Sequence, residues 1–428
     1  MDRLRCAYIA SNYPAVSHTF ILREILALRG IGVEVESLAI RRSPATEVLS
    51  GVDREEYRRT HALLPASPLT VARAHVKALR RSPAAYVSTL VTALRLSPGG
   101  ARKTLWQLFY FAESIMTWAW MESRALTHLH AHHGNVACDV ALLATRFANA
   151  AEGDGSSRRW SWTFTLHGPV ELYEVKALKL PVKARHADVV AVTSDYVRSQ
   201  LMAHLDPEDW EKLRVVRGGV DVSSFAPVYR TRPGGPLRIV NVARLAPVKG
   251  QFELLKAIAE LRRRGVPASV VVVGEGPLRS AVESEIRRLE LGDLVELTGS
   301  VSPDDIHRYY ADADVFCLPS FAEGVPNVLM EAMAMELAVV STRLMGIPEL
   351  VEDGVSGLLV APARPDLLAD ALQRLAEDAE LRARLGRAAR KRVIAEYRID
   401  RTAREMRDLI DDAMREGGGS EELPPSGA

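Results

Sequence analysis

Residues 314–334 read DVFCLPSFAEGVPNVLMEAMA, and the passage changes character twice. Asp314–Leu318 is a short, continuous apolar run, the pattern of a strand buried on both faces. Pro319, Ser320 and Gly324 then interrupt it, as a loop requires. From Pro326 onward the spacing is helical, with Pro326 suited to a first turn. A buried strand, a loop and a helix in succession form one half of a βαβ unit.

The same alternation recurs outward in both directions. Towards the C-terminus, strands are expected at Ala338–Ser341 and Gly357–Val360, and before the passage at Leu237–Val242, Ala268–Val273 and Leu294–Thr298. In the first half they are expected at Arg5–Ala10, Val33–Ala39, Thr127–Ala131, Ser161–Leu166, Asp188–Thr193 and Leu213–Val216. Each precedes a helix-sized segment, which indicates parallel sheets covered on both faces. Ser302-Pro303-Asp304-Asp305 reads as a capping box with proline at the first helical position. Ala226–Pro236 (APVYRTRPGGP) reads as a linker, and EGGGSEELPPSGA from Glu416 as a disordered tail. The expected fold is α/β, with two doubly wound Rossmann-like domains facing across a cleft. Their bounds are 1–225, a linker 226–236, 237–395, a C-terminal helix 396–415 and the tail 416–428.

Composition narrows the function classes. The 428 residues carry 55 Lys+Arg against 54 Asp+Glu, too balanced for a dedicated nucleic-acid binder. Cys6, Cys138 and Cys317 are far apart and odd in number, which excludes a disulfide framework or zinc ribbon and fits a reducing compartment. The N-terminal apolar run is too short for a signal peptide, and Glu113 interrupts the most lipid-like stretch, Thr104–Met121. The expectation is a cytoplasmic protein. The balanced total hides an asymmetry, with +6 in residues 1–225 (28 basic, 22 acidic) and −5 in 226–428 (27 and 32). Tyr57–Ala112 holds nine Lys/Arg and no acidic residue, with Trp106, Phe109, Tyr110, Trp118 and Trp120 close by. Two readings stand: a solvated helical face, or a surface making peripheral contact with anionic membrane.

Ligands of doubly wound sheets bind at the carboxyl ends of strands, so the candidate residues are sought there. Gly324-Val325-Pro326-Asn327 presents backbone N–H groups at a helix start, which suits an anion or a hydroxyl-rich ligand. Glu323 precedes that helix and Glu331 lies just over a turn inside it, within reach of one ligand. Arg244 and Lys249 follow the strand 237–242 and can hold a phosphate or diphosphate, Arg by its fork and Lys as a point charge. VVVVGEGPLR places Gly274 and Gly276 after a strand without the third glycine of a dinucleotide fingerprint. His167-Gly168 closes another strand, where a His can contact a sugar or move a proton. In the cluster His128, His130, His132 and His133 the first three alternate along a strand and share one face, with no Cys or carboxylate at metal-ligand spacing nearby, so no metal is expected there. Asp312-Ala313-Asp314 spells DxD at a strand entry, where Asp314 caps or turns rather than binding Mg²⁺.

Taken together these pieces resemble glycosyltransferase family 4, the retaining enzymes with the GT-B fold. The likeness runs in order through VARLAPVKG, VVGEGPLR, LTGSVSPDDIHRYYADADVFCLPSFAEGVPNVLMEAMA and GIPELVEDGVSGLLV. Glu323 and Glu331 carry the family's paired-glutamate signature. VVRGGVDVSSF resembles its NGVD element, with Arg217-Gly218 in place of Asn-Gly. SNYPAVSHTFILREI and HLHAHHGNVACDVALLA resemble an exopolysaccharide, colanic-acid-type subgroup. The first loop departs from the common pattern, having Ser11-Asn12-Tyr13-Pro14 in place of a glycine pair and His18 in place of a glutamate.

The resemblance implies a first domain that binds the acceptor, through Asn12, Tyr13, Ser17 and His18, and a second that binds a nucleotide sugar. Arg244 and Lys249 would hold the donor diphosphate, Glu331 the ribose, and Glu323 with Gly324, Val325, Pro326 and Asn327 the donor sugar. His167 would contact the same sugar, and the base would lie near Gly274, Gly276 and Val301. His167, Glu323, Arg244 and Lys249 form the expected catalytic set. Transfer would be front-face with retention, the departing diphosphate helping to deprotonate the acceptor hydroxyl, with no cofactor and no metal. The expected partners are the nucleotide sugar and a sugar or lipid-linked acceptor, at the inner face of the cell membrane, with no nucleic acid. Glycosylation of a small natural product, a nucleotide-sugar epimerase and a non-catalytic assembly partner are the other readings.

Overall fold

The computed structural model describes residues 4–15, 19–44, 50–97, 99–153, 156, 159–228 and 235–416. Among these residues two compact units form, one from the described residues up to 216 together with 403–416 and the other from 217–402. Residues 217–225 therefore group with the second unit, a correction to the boundary expected at 225. The C-terminal helix, Ile399–Glu416, contains the second division, after Thr402. Most of the expected linker, residues 229–234, and the tail from 417 lie outside the described residues.

The first unit holds a seven-stranded sheet with order β3-β2-β1-β4-β5-β6-β7. Its strands are β1 (Arg5–Asn12), β2 (Glu34–Arg41), β3 (His61–Leu64), β4 (His128–His132), β5 (Ser161–Leu166), β6 (Val189–Val192) and β7 (Leu213–Val215). The second unit holds six, in the order β10-β9-β8-β11-β12-β13. These are β8 (Leu237–Val242), β9 (Ala268–Val273), β10 (Val295–Gly299), β11 (Val315–Leu318), β12 (Ala338–Thr342) and β13 (Leu358–Val360). Every ladder between them is parallel. In both sheets the winding direction reverses once, between β1 and β4 and between β8 and β11. That is the doubly wound order expected from the alternating pattern.

Burial explains why the strands read as unbroken apolar runs. Along β1, Ala7 and Ile9 join one hydrophobic cluster while Cys6, Tyr8 and Ala10 join another on the opposite face. The second cluster is completed by Ala403, Met406, Leu409 and Ile410 of the C-terminal helix. β11 alternates in the same way, Val315 and Cys317 facing one cluster and Phe316 and Leu318 the other. Side chains alternate with period two, but neither face meets water, so polar residues have no place in the alternation.

Two local expectations change. β3 has only four residues, HALL, at the sheet edge, with His61 exposed, and so lacks the buried run by which the other strands are recognised. The capping box at Ser302 is not formed. The helix starts at Ile306, and the Ser302 hydroxyl instead accepts from the Asp304 N–H in the preceding turn, at 3.2 Å. A complete box occurs at Ser50, which exchanges hydrogen bonds with Asp53.

Three helices, Pro68–Arg81, Pro83–Arg95 and Ala101–Ser123, lie between β3 and β4. The third contains the lipid-like stretch, but from Phe111 on it packs into the core of the first unit. No helix among the described residues is long and apolar enough to cross a membrane.

Glu113 in that helix is 4 % exposed. Burial pushes its carboxyl up from 4.5 to about 7, with Arg41 opposing the shift in part. Between those values the folded chain holds a proton that the unfolded chain has released, so stability falls as pH rises through that window. Glu113→Gln removes this loss. Thermal unfolding of the two proteins is expected to coincide closely near pH 5, and the variant to gain about 1–3 kcal/mol near pH 8. A variant less stable at both pH values overturns the assignment.

Candidate functional site

In the second unit the loops that leave β8 and β11 both open at the point where the winding reverses. The first carries Arg244 and Lys249 and ends at Gly250, where the helix Gln251–Arg263 begins. Gly250 has φ +68°, and a Cβ there would lie 1.9 Å from the carbonyl oxygen of Pro319. Only glycine lets the two loops approach so closely. Gly274, after β9, has the same constraint, since its Cβ would come 2.0 Å from the Ala243 carbonyl at φ +144°. The Phe321 N–H donates to the Val248 carbonyl at 2.7 Å and completes the clasp.

This approach brings Lys249 and Glu323 together, Nζ to Oε1 at 2.6 Å. The same carboxylate oxygen accepts from the Ser320 hydroxyl at 2.7 Å, and Thr342 anchors the Ser320 carbonyl at 2.6 Å. Glu323 is buried, whereas Arg244 is exposed with no ion pair among the described residues. Glu331 is also buried and accepts from the Tyr310 hydroxyl at 2.8 Å. The helix Asn327–Ala334 between them has no side-chain cap; its Leu329 and Met330 N–H groups donate to the Pro326 carbonyl at 3.1 and 3.3 Å, while the Asn327 and Val328 N–H groups come too early for an intrahelical acceptor. Gly218 approaches its start, a Cβ there reaching to 3.5 Å from Asn327 Oδ1.

Other expected contacts stand further along the same strand ends. Gly274 bridges to Gly299, and a Cβ on Gly276 would strike the Leu245 carbonyl at 2.4 Å. Val301 and Val325 are half-buried against the core cluster beneath. Asp314 of the DxD tripeptide is committed to structure. Its carboxylate accepts from the Arg238 backbone and Nε at 3.0 Å and from Nη2 at 2.6 Å, tying β11 to β8.

In the first unit His167 follows β5 directly. Its backbone N–H donates to Glu171 at 2.9 Å and its carbonyl accepts from Thr193 at 3.1 Å. The ring is hydrogen-bonded to His132 Nδ1 at 2.9 Å and lies 4.4 Å from the Phe20 ring. His128 and His130 are fully buried, each hydrogen-bonded through both nitrogens to β5 hydroxyls: Ser161 and Thr163 for His128, Thr163 and Thr165 for His130. Burial pushes His128 down to about 3 and His130 well below its ordinary value. The histidine run is thus largely a core ladder that ends in a half-buried histidine.

The fold also supplies a carboxylate that local spacing could not show. Glu24, His130 and His132 bring one ligand-type atom each to within 4.8 Å of one another. The Tyr8 hydroxyl donates to that carboxylate at 2.9 Å. Of the expected acceptor residues, Asn12 ends β1 exposed, while Ser17 and His18 lie outside the described residues. Tyr13 is 1 % exposed and belongs to the core, a correction to its expected role: burial, with Glu56 nearby, holds its hydroxyl in the neutral form.

Sequence reasoning missed Ser320, Tyr310, Glu24 and Glu171. Ser320, Tyr310 and Glu171 are partners of the candidate residues Glu323, Glu331 and His167, and Glu24 is a partner of the buried histidine ladder; a lone Ser, Tyr or Glu has no spacing signal. Ser320, three residues before Glu323 on the same loop, was the most accessible of them.

Residues 229–392 match the family model for glycosyl transferases group 1. The chain is 30% identical over 426 residues to the putative colanic acid biosynthesis glycosyltransferase WcaL of Escherichia coli (strain K12), covering 95% of this chain and 99% of that one. It is 35% identical over 207 residues to the amylovoran biosynthesis glycosyltransferase AmsK of Erwinia amylovora, covering 47% and 51%. Among solved structures, sucrose-phosphate synthase from Thermosynechococcus elongatus superposes with TM-score 0.74 at 20% identity, over 97% of this chain and 100% of that one. Anabaena HepE, solved with UDP and glucose, gives 0.68 at 17%, over 96% and 100%. Matched over nearly its whole length by one such enzyme, and folded as the GT-B enzymes are, the chain belongs to the group 1 glycosyl transferases.

Proposed function

We propose that the chain moves a sugar from a nucleoside diphosphate donor to a hydroxyl of a growing glycan, with retention and without a metal ion. Its setting would be exopolysaccharide or related glycoconjugate assembly in the cytoplasm, at the inner face of the cell membrane. The names of the colanic acid and amylovoran relatives support the setting. The observation that carries the donor site is the Lys249–Glu323 pair, held beside exposed Arg244 and an uncapped helix start where the sheet reverses.

In this reading the diphosphate takes Arg244 and Lys249, whose charges stabilise the leaving group as the glycosidic bond breaks. These cations supply the positive charge for which other transferases recruit a metal. Glu323 and the Gly324–Asn327 backbone hold the sugar, and Glu331 holds the ribose. The base lies near Gly274, Gly276 and Val301. His167, fixed by Glu171, Thr193 and His132, contacts the sugar. The departing diphosphate helps to take the acceptor proton, so positioning does the work a general base would otherwise do. Asn12 remains the described candidate for the acceptor side.

Lys249→Ala and Glu323→Gln are each expected to lower the transfer rate at least about tenfold, equivalent to about 1.4 kcal/mol of barrier. Because the two side chains touch, the double variant is expected to lose less than the sum of the single losses in free energy. Near-wild-type rates in both single variants overturn the site.

Thermal unfolding with UDP, GDP, ADP, TDP or NAD, and EDTA throughout, tests the donor class and metal independence together. One nucleoside diphosphate at about a hundredfold excess over its dissociation constant is expected to stabilise the chain by about 2.7 kcal/mol. Stabilisation by NAD alone, or by none, removes the nucleotide-sugar reading.

A further inference from the structure

The three helices between β3 and β4 place two features together that folding alone does not require. Ten of the eighteen large apolar side chains exposed among the described residues lie between Leu69 and Phe109. On Pro68–Arg81, Leu69, Arg73, Val76 and Arg80 recur at helical spacing and share an outer face. Val87, Val91 and Leu94 recur likewise on Pro83–Arg95. At the start of Ala101–Ser123, Leu105, Trp106 and Phe109 are 54 %, 42 % and 50 % exposed. Soluble surfaces rarely leave aromatic and aliphatic groups in such a run.

The charges decide what covers it. Lys77 is paired with Glu122 and Arg81 with Glu152, so these two serve the fold. Arg73, Arg80, Arg95, Arg102 and Lys103 form no ion pair among the described residues, and no acidic residue occurs from 57 to 112. A second copy would set cations against cations across a twofold interface. Water alone explains the cations but not the aromatic groups. An anionic bilayer satisfies both, since indole and phenyl rings enter the headgroup region while Arg and Lys remain with the phosphates.

We infer that this three-helix segment is a docking surface for anionic phospholipid bilayers, with Leu105, Trp106, Leu108 and Phe109 as the inserted edge and Arg73, Arg80, Arg95, Arg102 and Lys103 as its cationic rim. The surface deepens the membrane-side setting proposed above and rests on that reading for its purpose. Its physical basis is independent of the donor site.

The test is co-sedimentation of the full chain with vesicles of phosphatidylcholine alone, or of phosphatidylcholine and phosphatidylglycerol in equal parts. Binding is expected with the anionic vesicles only, and weaker as salt is raised. Trp106→Ser with Phe109→Ser, and separately Arg102→Glu with Lys103→Glu, are each expected to weaken it at least about tenfold. For the charge variant this follows from about fivefold per cation near such a surface. Thermal stabilisation by nucleotide is expected to be unchanged in both variants, which shows that they fold. Equal binding to both vesicle types, or wild-type binding by both variants, overturns the inference. So does a dimer in sedimentation velocity that the Trp106/Phe109 variant dissolves. Vesicle binding without nucleotide binding leaves this surface standing and removes the donor reading. Nucleotide binding without vesicle binding does the reverse.

Discussion

The contact between Lys249 and Glu323 depends on a backbone approach that only Gly250 permits, and much of the second unit is arranged around it. Two loops that leave β8 and β11 at the reversal of the sheet are drawn together until the Gly250 α-carbon meets the Pro319 carbonyl. The ion pair then spans them, one partner buried and the other a quarter exposed. A pair so placed gives up part of its hydration, and the hydrogen bond that Ser320 adds to the carboxylate helps to offset that loss. Electrostatically the pair is nearly neutral. Arg244 is left as an exposed cation without an ion pair among the described residues, and in the proposed site a diphosphate would compete with Glu323 for the Lys249 ammonium.

That competition gives the proposed donor site a physical logic. A fully free lysine at a strand end would attract any small anion. One already satisfied by a carboxylate yields only to a ligand that also engages Arg244 and the backbone N–H groups, so a single phosphate gains less than a diphosphate carrying a sugar. In the proposed site Glu323 would in turn be released for sugar hydroxyls, while Glu331 stays hydrogen-bonded to Tyr310.

How much of this was legible in the sequence follows from which interactions are local. The strands β8, β9 and β5 could be read to the residue because burial on both faces imposes an unbroken apolar run that ends abruptly. β3 could not, because an edge strand of four residues with an exposed histidine has no such run. The residues of the proposed donor site were readable as a group because they cluster at strand ends within short motifs. Their pairing was not, since Lys249 and Glu323 are 74 positions apart and meet through a glycine whose own signal is only a missing side chain. Tyr13 was placed by the resemblance of its loop, which carries no information on burial, and here it packs in one cluster with Ile21 and Ile25.

The histidine run in β4 shows the same local rule producing two outcomes. Period-two alternation turns His128, His130 and His132 to one face, and Leu129 and Ala131 to the other. β5, in register beside it, turns Ser161, Thr163 and Thr165 towards the histidines. Buried and held neutral, each of the first two rings offers one donor and one acceptor, and the hydroxyls between them satisfy both. Over its first two histidines the ladder is a polar substitute for apolar packing, stable because both ring nitrogens of His128 and of His130 meet a hydroxyl. At the carboxyl end of β5 the series of hydroxyls stops and His167 takes the next place. There the fourth rung is a histidine bonded to a histidine, beside Phe20 and Glu171, where the chain leaves the sheet. The periodicity that fills the core thus also delivers one oriented imidazole to the strand end, where doubly wound folds bind their ligands.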